Sequence, residues 1–205
     1  MKKLLMNKFP LILLIIYLIE FLILAINPYS RTIWITENSF SVAIVIVLII
    51  FYWRGIKFSN VAYSLMWLYL CFHTIGGHYT FERVPFEWVT DFFGFERNNF
   101  DRICHFMVGF FAYAGLEYYE QRQLIKGRKL TIFLMIMAIF GVAAIFELIE
   151  WIYAEIASPN AGNAFLGSQG DIWDAQKDML CDGSGAIFSA ILYSIINRKK
   201  EKINQ

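Results

Sequence analysis

Apolar residues along this chain are gathered into long runs, and short polar segments separate the runs. A helix needs about 20 mostly apolar residues to cross a bilayer core, and somewhat fewer where interfacial residues extend it. The pattern therefore predicts an all-α membrane protein, a bundle of six transmembrane helices that forms a single integral membrane domain over residues 1–205. The predicted spans are about 9–26, 40–53, 61–75, 101–119, 130–153 and 178–196.

Polar and small residues set the predicted ends of these spans. The third span is expected to end at Gly76-Gly77, because a glycine pair readily breaks a helix. The polar segment 76–100 is predicted to be a loop outside the core that holds a short interfacial helix. Residues 155–170 are rich in small and polar residues, so an extended loop is predicted before the last span.

Composition agrees with a membrane location, since 58% of the residues are hydrophobic and only 17% are charged. The positions of lysine and arginine then orient the bundle. In the six-span arrangement thirteen of them lie on the side of both termini and five on the other side. The positive-inside rule therefore predicts that both termini are cytoplasmic. The expected partner is the lipid bilayer, and no nucleic-acid partner is expected.

Polar residues near the predicted spans gather at the outer ends of those spans. An ionised side chain in hydrocarbon costs at least about 2.5–3.5 kcal/mol, so such groups are expected to turn inward and meet. Small residues such as Gly109 and Ala186 would let the helices approach closely there. The residues in question are His73, His78, Asp101, His105, Glu147, Glu150, Trp151, Asp171, Trp173, Asp174, Asp178 and Asp182.

Four aspartates open the last predicted span, at spacings of three, four and four residues. On one continuous helix their side chains would fall within an arc of roughly 80°. This pattern predicts an acidic stripe that forms one wall of a site. Asp178 and Asp182 are expected to be its inner members, and Asp171 and Asp174 are expected to lie nearer water.

Imidazole and carboxylate groups together suit Zn, Mn or Fe, and they also supply general acids and bases. We therefore hypothesise a site with catalytic groups His105, Glu147, Glu150, Asp178 and Asp182. Candidate ligands for a divalent metal are His105, Glu147 and Asp178. The site would be lined by His73, His78, Asp101, Trp151, Asp171, Trp173 and Asp174. No diagnostic ligand spacing such as His-Glu-x-x-His occurs.

The sequence leaves three functions open. The first is an enzyme that acts on an envelope or lipid-linked substrate, with metal-assisted hydrolysis as the candidate reaction. The second is a proton- or cation-coupled transporter, and the third is a structural or regulatory protein whose polar core only fixes helix packing. Local roles have simple alternatives too. Asp101 could be an N-cap, Asp171 and Asp174 could form a solvated first turn, and Glu117 and Glu120 could pair with Arg122.

Two motifs carry a family resemblance. The segments Phe146-Glu147-Leu148-Ile149-Glu150-Trp151 and 165–179 resemble the YjdF family of bacterial inner-membrane proteins, and the likeness covers nearly the whole chain. It implies a multi-pass protein of the bacterial inner membrane. More distantly, the chain resembles the VanZ-like membrane proteins, which are associated with glycopeptide resistance.

The VanZ-like pattern is matched with substitutions that add acids. Asp101 and His105 match its Asp-Lys-x-x-His element, with Arg102 in place of lysine. Its Glu-x-x-Gln element is matched at Glu147, with Glu150 replacing glutamine. Its Asp-x-x-x-Asn-x-x-Gly element is matched at Asp178 and Gly185, with Asp182 replacing asparagine. The resemblance thus implies a shared polar core that holds two further carboxyl groups here.

Overall fold

A computed structural model of the protein describes residues 8–156, 162 and 165–203, and the regular structure in these residues is helical, without strands. The α-helices are α1 Phe9–Leu24, α2 Arg31–Trp53, α3 Asn60–Tyr79, α4 Glu87–Phe93, α5 Phe100–Val108, α6 Phe111–Arg122, α7 Arg128–Ile156 and α8 Asp174–Ile203. A 3₁₀ turn lies at Phe81–Arg83. Seven of the sixteen residues of the predicted loop at 155–170 fall outside the described residues, as do Lys2 and Lys3, which help to orient the bundle.

Within the described part, three helices are long and apolar enough to cross a membrane: Arg31–Trp53, Arg128–Ile156 and the segment Asp174–Asn197 of α8. Helix α1 is apolar but shorter. Each predicted span coincides with one helix or, for 101–119, with the pair α5 and α6. The all-helical, membrane-embedded character predicted from the sequence is therefore confirmed.

Helix α3 does not end at the glycine pair, so this predicted boundary was wrong. The helix continues through Gly76 and Gly77 to Tyr79. The glycines allow close packing, because the ring of Phe81 occupies the space that a Cβ on Gly76 would take. A Cβ on Gly77 would come within 2.9 Å of Asn38 Nδ2 on α2. The pair thus permits contacts of α3 with its neighbours within a continuous helix.

Helix α2 begins at Arg31, well before the predicted start at residue 40. Ser30 caps it, since its side chain accepts a hydrogen bond from the Ile33 N–H at 3.4 Å. The added turns contain the buried residues Glu37 and Asn38, and Ser41 is buried just beyond them. These polar side chains face neighbouring helices, so a polar stretch that resembles a loop in the sequence is part of the bundle.

The crossing of α5 and α8 depends on glycine. A Cβ on Gly185 would overlap the carbonyl of Phe106, and a Cβ on Gly109 would overlap the backbone at Gly185 and Ala186. Small residues at a crossing let two helix backbones come into contact. The expected close approach of these faces is confirmed, and it brings the polar groups of the two helices together.

Helix α8 begins at Asp174, so the interpretation of four aspartates on one helical stripe was wrong for Asp171. That residue lies in the preceding turn, where its N–H donates to the Ser168 carbonyl at 2.9 Å. The remaining three aspartates share a face of α8 at spacings of four residues. They lie at the end of the bundle where α2, α5 and α8 begin and α3 and α7 end, which we call the site end.

Candidate functional site

A cavity of about 400 Å³ opens between α2, α3, α5, α7 and α8. Its polar lining lies at the site end and includes Glu37, His73, Asp101, His105, Glu150 and Asp182. Its apolar lining consists of Phe40, Ala43, Ile44, Val108, Phe111, Ile139, Val142, Ala143 and Phe146, among others. The volume lies within the range of about 300–1,000 Å³ that is typical of small-molecule sites.

His105 lies at the centre of the polar lining, with a carboxylate facing each ring nitrogen. Its Nδ1 is 3.1 Å from Oδ2 of Asp182, and its Nε2 is 3.8 Å from Oδ1 of Asp101. Asp182 is only 1% exposed. A carboxylate that accepts a hydrogen bond from Nδ1–H fixes the ring and leaves Nε2 as the free base or ligand. His105 is thus oriented toward the Asp101 carboxylate.

Asp101, His105 and Asp178 bring one ligand atom each to within 4.8 Å of one another. Asp178 is 3% exposed, and its Oδ1 accepts no hydrogen bond from the described residues. The Arg102 Nε lies 3.7 Å from this oxygen. One imidazole and two carboxylates, one of them with an unsatisfied oxygen, form a plausible set of ligands for a divalent cation.

Glu147, the third candidate ligand from the sequence, lies outside this triad. Its Oε1 is buried and accepts no hydrogen bond from the part of the chain that the structure describes. It is within electrostatic range of His105 and Asp178. Glu147 therefore adds negative charge beside the triad, while Asp101 takes the position that the sequence had assigned to Glu147.

A second pair of a histidine and a carboxylate, His73 and Glu37, lines the same cavity. His73 Nε2 is 3.6 Å from Oε2 of Glu37, and His73 Nδ1 is 3.1 Å from the Ser41 hydroxyl. Sequence reasoning missed Glu37. The available signal was its spacing, because Glu37 and Ser41 are four residues apart and would share a face if the helix were extended toward the N-terminus.

Arginines from the segment before α5 and from α5 itself hold the start of α8. Arg97 forms an ion pair with Asp174 and donates to the Ser168 carbonyl at 3.1 Å. Arg102 Nη2 donates to Asp171 at 2.6 Å and to Asp174 at 3.2 Å. We call Arg97, Arg102, Asp171 and Asp174 the arginine network. It fixes the residues before α8 against the start of α5.

The arginine network buries one of the two aspartates that were expected to lie nearer water. Asp174 is 7% exposed, because both arginines cover it, and it is therefore not a solvated first-turn residue. Asp171 remains partly exposed and also accepts a hydrogen bond from Lys177 Nζ at 2.6 Å. The hydrogen bonds from Lys177, from the Trp173 N–H and from Arg102 hold the pKa of Asp171 well below its usual range.

Several predicted site residues lie elsewhere. His78 Nδ1 is 2.7 Å from the carbonyl of Leu24, so His78 ties α3 to the end of α1. Trp151 and Trp173 are exposed and do not line the cavity. Asp101 is not an N-cap, since α5 begins at Phe100 and the residue before it, Asn99, occupies the cap position. The Asp101 carboxylate is available to the site instead.

The local charge balance is strongly acidic. The carboxyl groups in or beside the cavity are Glu37, Asp101, Glu147, Glu150, Asp178 and Asp182. The basic groups beside them are His73, His105 and the two arginines, Arg97 and Arg102. Both arginines also pair with Asp171 and Asp174. Buried carboxylates in such excess are stabilised by a bound cation or by protons.

Apolar helices long enough to cross a bilayer, with a buried cluster of histidine and carboxyl groups between them, define a multi-pass integral membrane protein with a polar site among its helices. The family model described as "Predicted membrane protein (DUF2238)" matches residues 9–199, and the chain belongs to that family.

Among curated proteins, the chain is 32% identical over 194 residues to "Inner membrane protein YjdF" of Escherichia coli (strain K12). This alignment covers 93% of the chain and 90% of the relative. No solved structure matches the chain. The resemblance predicted from the two motifs is thereby confirmed, as is the location in the bacterial inner membrane. The likeness to VanZ-like proteins stays a prediction.

Proposed function

We propose that this protein is a metal-assisted enzyme that acts on an envelope substrate at the outer face of the inner membrane. Asp101, His105 and Asp178 hold the divalent metal, and the convergence of their ligand atoms within 4.8 Å is the observation that carries the proposal. The bundle is a single domain of six spans with both termini in the cytoplasm. The count of lysines and arginines supports this orientation, which places the site end outside.

The chemistry of the three ligands supports a catalytic metal. Catalytic zinc sites typically have three protein ligands and keep one position open for water or substrate. Asp182 supports the assignment, because a metal-binding histidine almost always donates its other ring N–H to a carboxylate, a carbonyl or water. The Asp182 Oδ2 lies 3.1 Å from His105 Nδ1, on the far side of the ring from Asp101.

Further acids of the same cavity supply proton transfer. A metal with an open position lowers the pKa of bound water and polarises a substrate oxygen, which suits hydrolysis or group transfer. Glu37 and Glu150 line the cavity beside the triad. Either carboxyl group is placed to accept or donate a proton during such a reaction. Glu147 and Asp182 stay close enough to influence the charge of the site.

Elemental analysis of the purified protein tests this proposal, with two histidine variants as a matched pair. Wild type, expressed with Zn, Mn and Fe supplied, is expected to hold about one metal ion per chain. His105→Ala should lose it, and His78→Ala should retain it, because His78 contacts the α1 terminus instead of the cavity. A metal-free wild type, or equal metal content in His105→Ala, would contradict the proposal.

A cation- or proton-coupled transporter is the second candidate, and the excess of buried carboxylates favours it. The same acids that hold a metal could bind protons or a monovalent cation during transport. A flux assay in liposomes separates the two functions. The enzyme predicts no proton or cation flux above that of protein-free liposomes. Flux in wild type that disappears in Asp182→Asn would replace the enzyme with a transporter.

A further inference from the structure

The cavity reaches well beyond the metal ligands. From Asp101 and His105 it continues along α2, α6 and α7, where its walls are formed by apolar side chains such as Ile44, Phe111 and Ile139. A reaction confined to the polar end would not need this apolar extension. The shape and lining instead fit an amphiphile, with a polar head at the site end and a hydrocarbon part below it.

Two residues in the apolar wall of the cavity, one on α2 and one on α7, are exposed, which indicates that the cavity opens between these two helices. Ala43 on α2 and Val142 on α7 line the cavity and are also exposed on the outside of the bundle, Val142 at 56%. Both lie in helices that are apolar enough to cross a membrane. In the membrane these residues therefore face the hydrocarbon of the bilayer. The opening connects that hydrocarbon to the cavity.

We propose that one hydrocarbon chain of a membrane lipid enters between α2 and α7 and that its head group then lies against Asp101 and His105. The substrate class of the proposed enzyme is accordingly a lipid or lipid-linked molecule. The head-group assignment rests on the proposed function, but insertion of the chain needs no metal and can be tested separately.

The dimensions of the opening favour a single chain over a partner helix. The rings of Phe40 and Phe146 bridge α2 and α7 with centroids 5.1 Å apart. The two rings are in contact and close the gap at their own level, so the opening lies about one helical turn away, beside Ala43 and Val142. An α-helix with side chains is about 10–12 Å across and would have to part these rings to enter, whereas an extended hydrocarbon chain is far narrower. Water is excluded as the main occupant, because apolar walls offer it few hydrogen bonds.

Photolabelling in bilayer nanodiscs tests this inference. The probe is a phosphatidylglycerol with a diazirine in one acyl chain, mixed into phosphatidylethanolamine, and labelled residues are mapped by mass spectrometry. The two diagnostic positions are Ile139 and Ala143, which line the cavity but are buried from the outer surface. We expect label at both in wild type, because only a chain inside the cavity reaches them.

Paired tryptophan variants serve as controls. Ala43→Trp fills the opening and should reduce label at Ile139 and Ala143 at least fivefold. Val42→Trp places the same side chain on a neighbouring exposed position outside the cavity and should leave the label unchanged. On α7, Val142→Trp and Ile145→Trp form a second pair, of which only Val142 lines the cavity.

The outcomes separate this inference from the proposed function. Label confined to exposed residues such as Ile145, with Ile139 and Ala143 unlabelled, would overturn chain insertion. Equal labelling in Ala43→Trp and Val42→Trp would do the same. If the cavity is labelled in a protein that contains no metal, chain insertion is supported and the metal-assisted function is contradicted. If a metal is bound but the cavity is not labelled, chain insertion alone is contradicted.

Discussion

Carboxyl groups at the two ends of the bundle differ in how many of their buried oxygens accept hydrogen bonds. At the end opposite the site, Glu117 Oε2 accepts a hydrogen bond from the Ser59 N–H at 2.8 Å. Glu120 Oε2 accepts one from the Tyr193 hydroxyl at 2.7 Å. At the site end, three buried carboxylate oxygens accept none from the described residues: Oδ1 of Asp178, Oδ1 of Asp182 and Oε1 of Glu147. At the opposite end, among the described carboxyl groups, this holds for Glu120 Oε1 alone, and Arg128 Nε lies 3.4 Å from it.

This difference distinguishes packing from function. Glu117 and Glu120 join α6 to the start of α3 and to α8, so their hydrogen bonds hold helices together. They do so without Arg122, which the sequence had offered as their partner; Arg128 Nε lies 3.4 Å from Glu120 instead. A buried acceptor left unsatisfied costs about 1–3 kcal/mol. Three such oxygens lie together at the site end, and we expect them to bind something else.

Breaking the arginine network should have the largest effect on stability. Arg97→Ala leaves the buried Asp174 with only part of its compensating charge, and removing one partner of a buried pair costs about 3–5 kcal/mol. Arg83→Ala is the control, because Arg83 forms an exposed pair with Glu82, and it should cost about 1 kcal/mol or less. Unfolding in detergent measures both. Equal losses would show that the network does not hold the site end.

The glycine crossing should give the next largest effect. Gly185→Ala forces α8 away from the Phe106 carbonyl, and overpacking of this kind costs about 1–3 kcal/mol. Gly141→Ala is the matched control on α7, since nothing lies within 4 Å of a Cβ there. It should be neutral or stabilise by up to about 1 kcal/mol. If melting temperatures fall equally in both variants, the close α5–α8 contact is not the cause.

Neutralising one acid at each end sharpens the comparison directly. Glu120→Gln weakens charge-assisted contacts to Tyr193 and Arg128 and should cost about 1 kcal/mol. Asp178→Asn removes one charge from the acidic excess around the triad and weakens only the 3.7 Å contact with Arg102, so stability in the metal-free protein should be unchanged or higher, while bound metal is lost. Thermal melts with metal analysis check both. Greater destabilisation by Asp178→Asn than by Glu120→Gln would favour a polar core that only fixes packing.

The smallest expected effect concerns pH. The pKa of Asp171 is lowered in the folded protein, chiefly by Lys177, so the stabilisation is present above the unfolded pKa near 3.9 and is lost as pH falls below it. The difference in melting temperature between wild type and Asp171→Asn should therefore be constant above about pH 5 and shrink below about pH 4. A difference that persists unchanged to pH 3 would show that the ionised Asp171 is not what stabilises this turn.

Hydropathy and motif spacing could predict much of this arrangement. Long apolar runs placed the helices, and the acids near their ends placed the cluster around His105 and Asp178 at one end of the bundle. Local patterns carry this information because a helix repeats every 3.6 residues. The small residues at Gly109 and Ala186 likewise predicted a close crossing.

Other contacts of the site could not be predicted from sequence patterns, because they join residues that are far apart in the chain. Arg97 meets Asp174 across 77 residues of sequence, and neither position reveals the other. Glu37 looked like part of a polar loop, since nothing local shows that His73 faces it. The glycines at Gly76 and Gly77 signal a break as readily as a contact, and only the position of Phe81 decides between the two.

X-ray absorption at the edge of the bound metal is the most direct test of the central claim. We expect one imidazole ligand, with nitrogen at about 2.0–2.1 Å for zinc, and otherwise oxygen ligands from Asp101, Asp178 and solvent. His105→Ala, which is expected to lose the metal, should give no bound-metal spectrum, and His78→Ala should keep the imidazole signal of wild type. Sulfur ligation, or a wild-type spectrum without imidazole, would contradict the assignment of the unsatisfied acids at the site end to a metal centre.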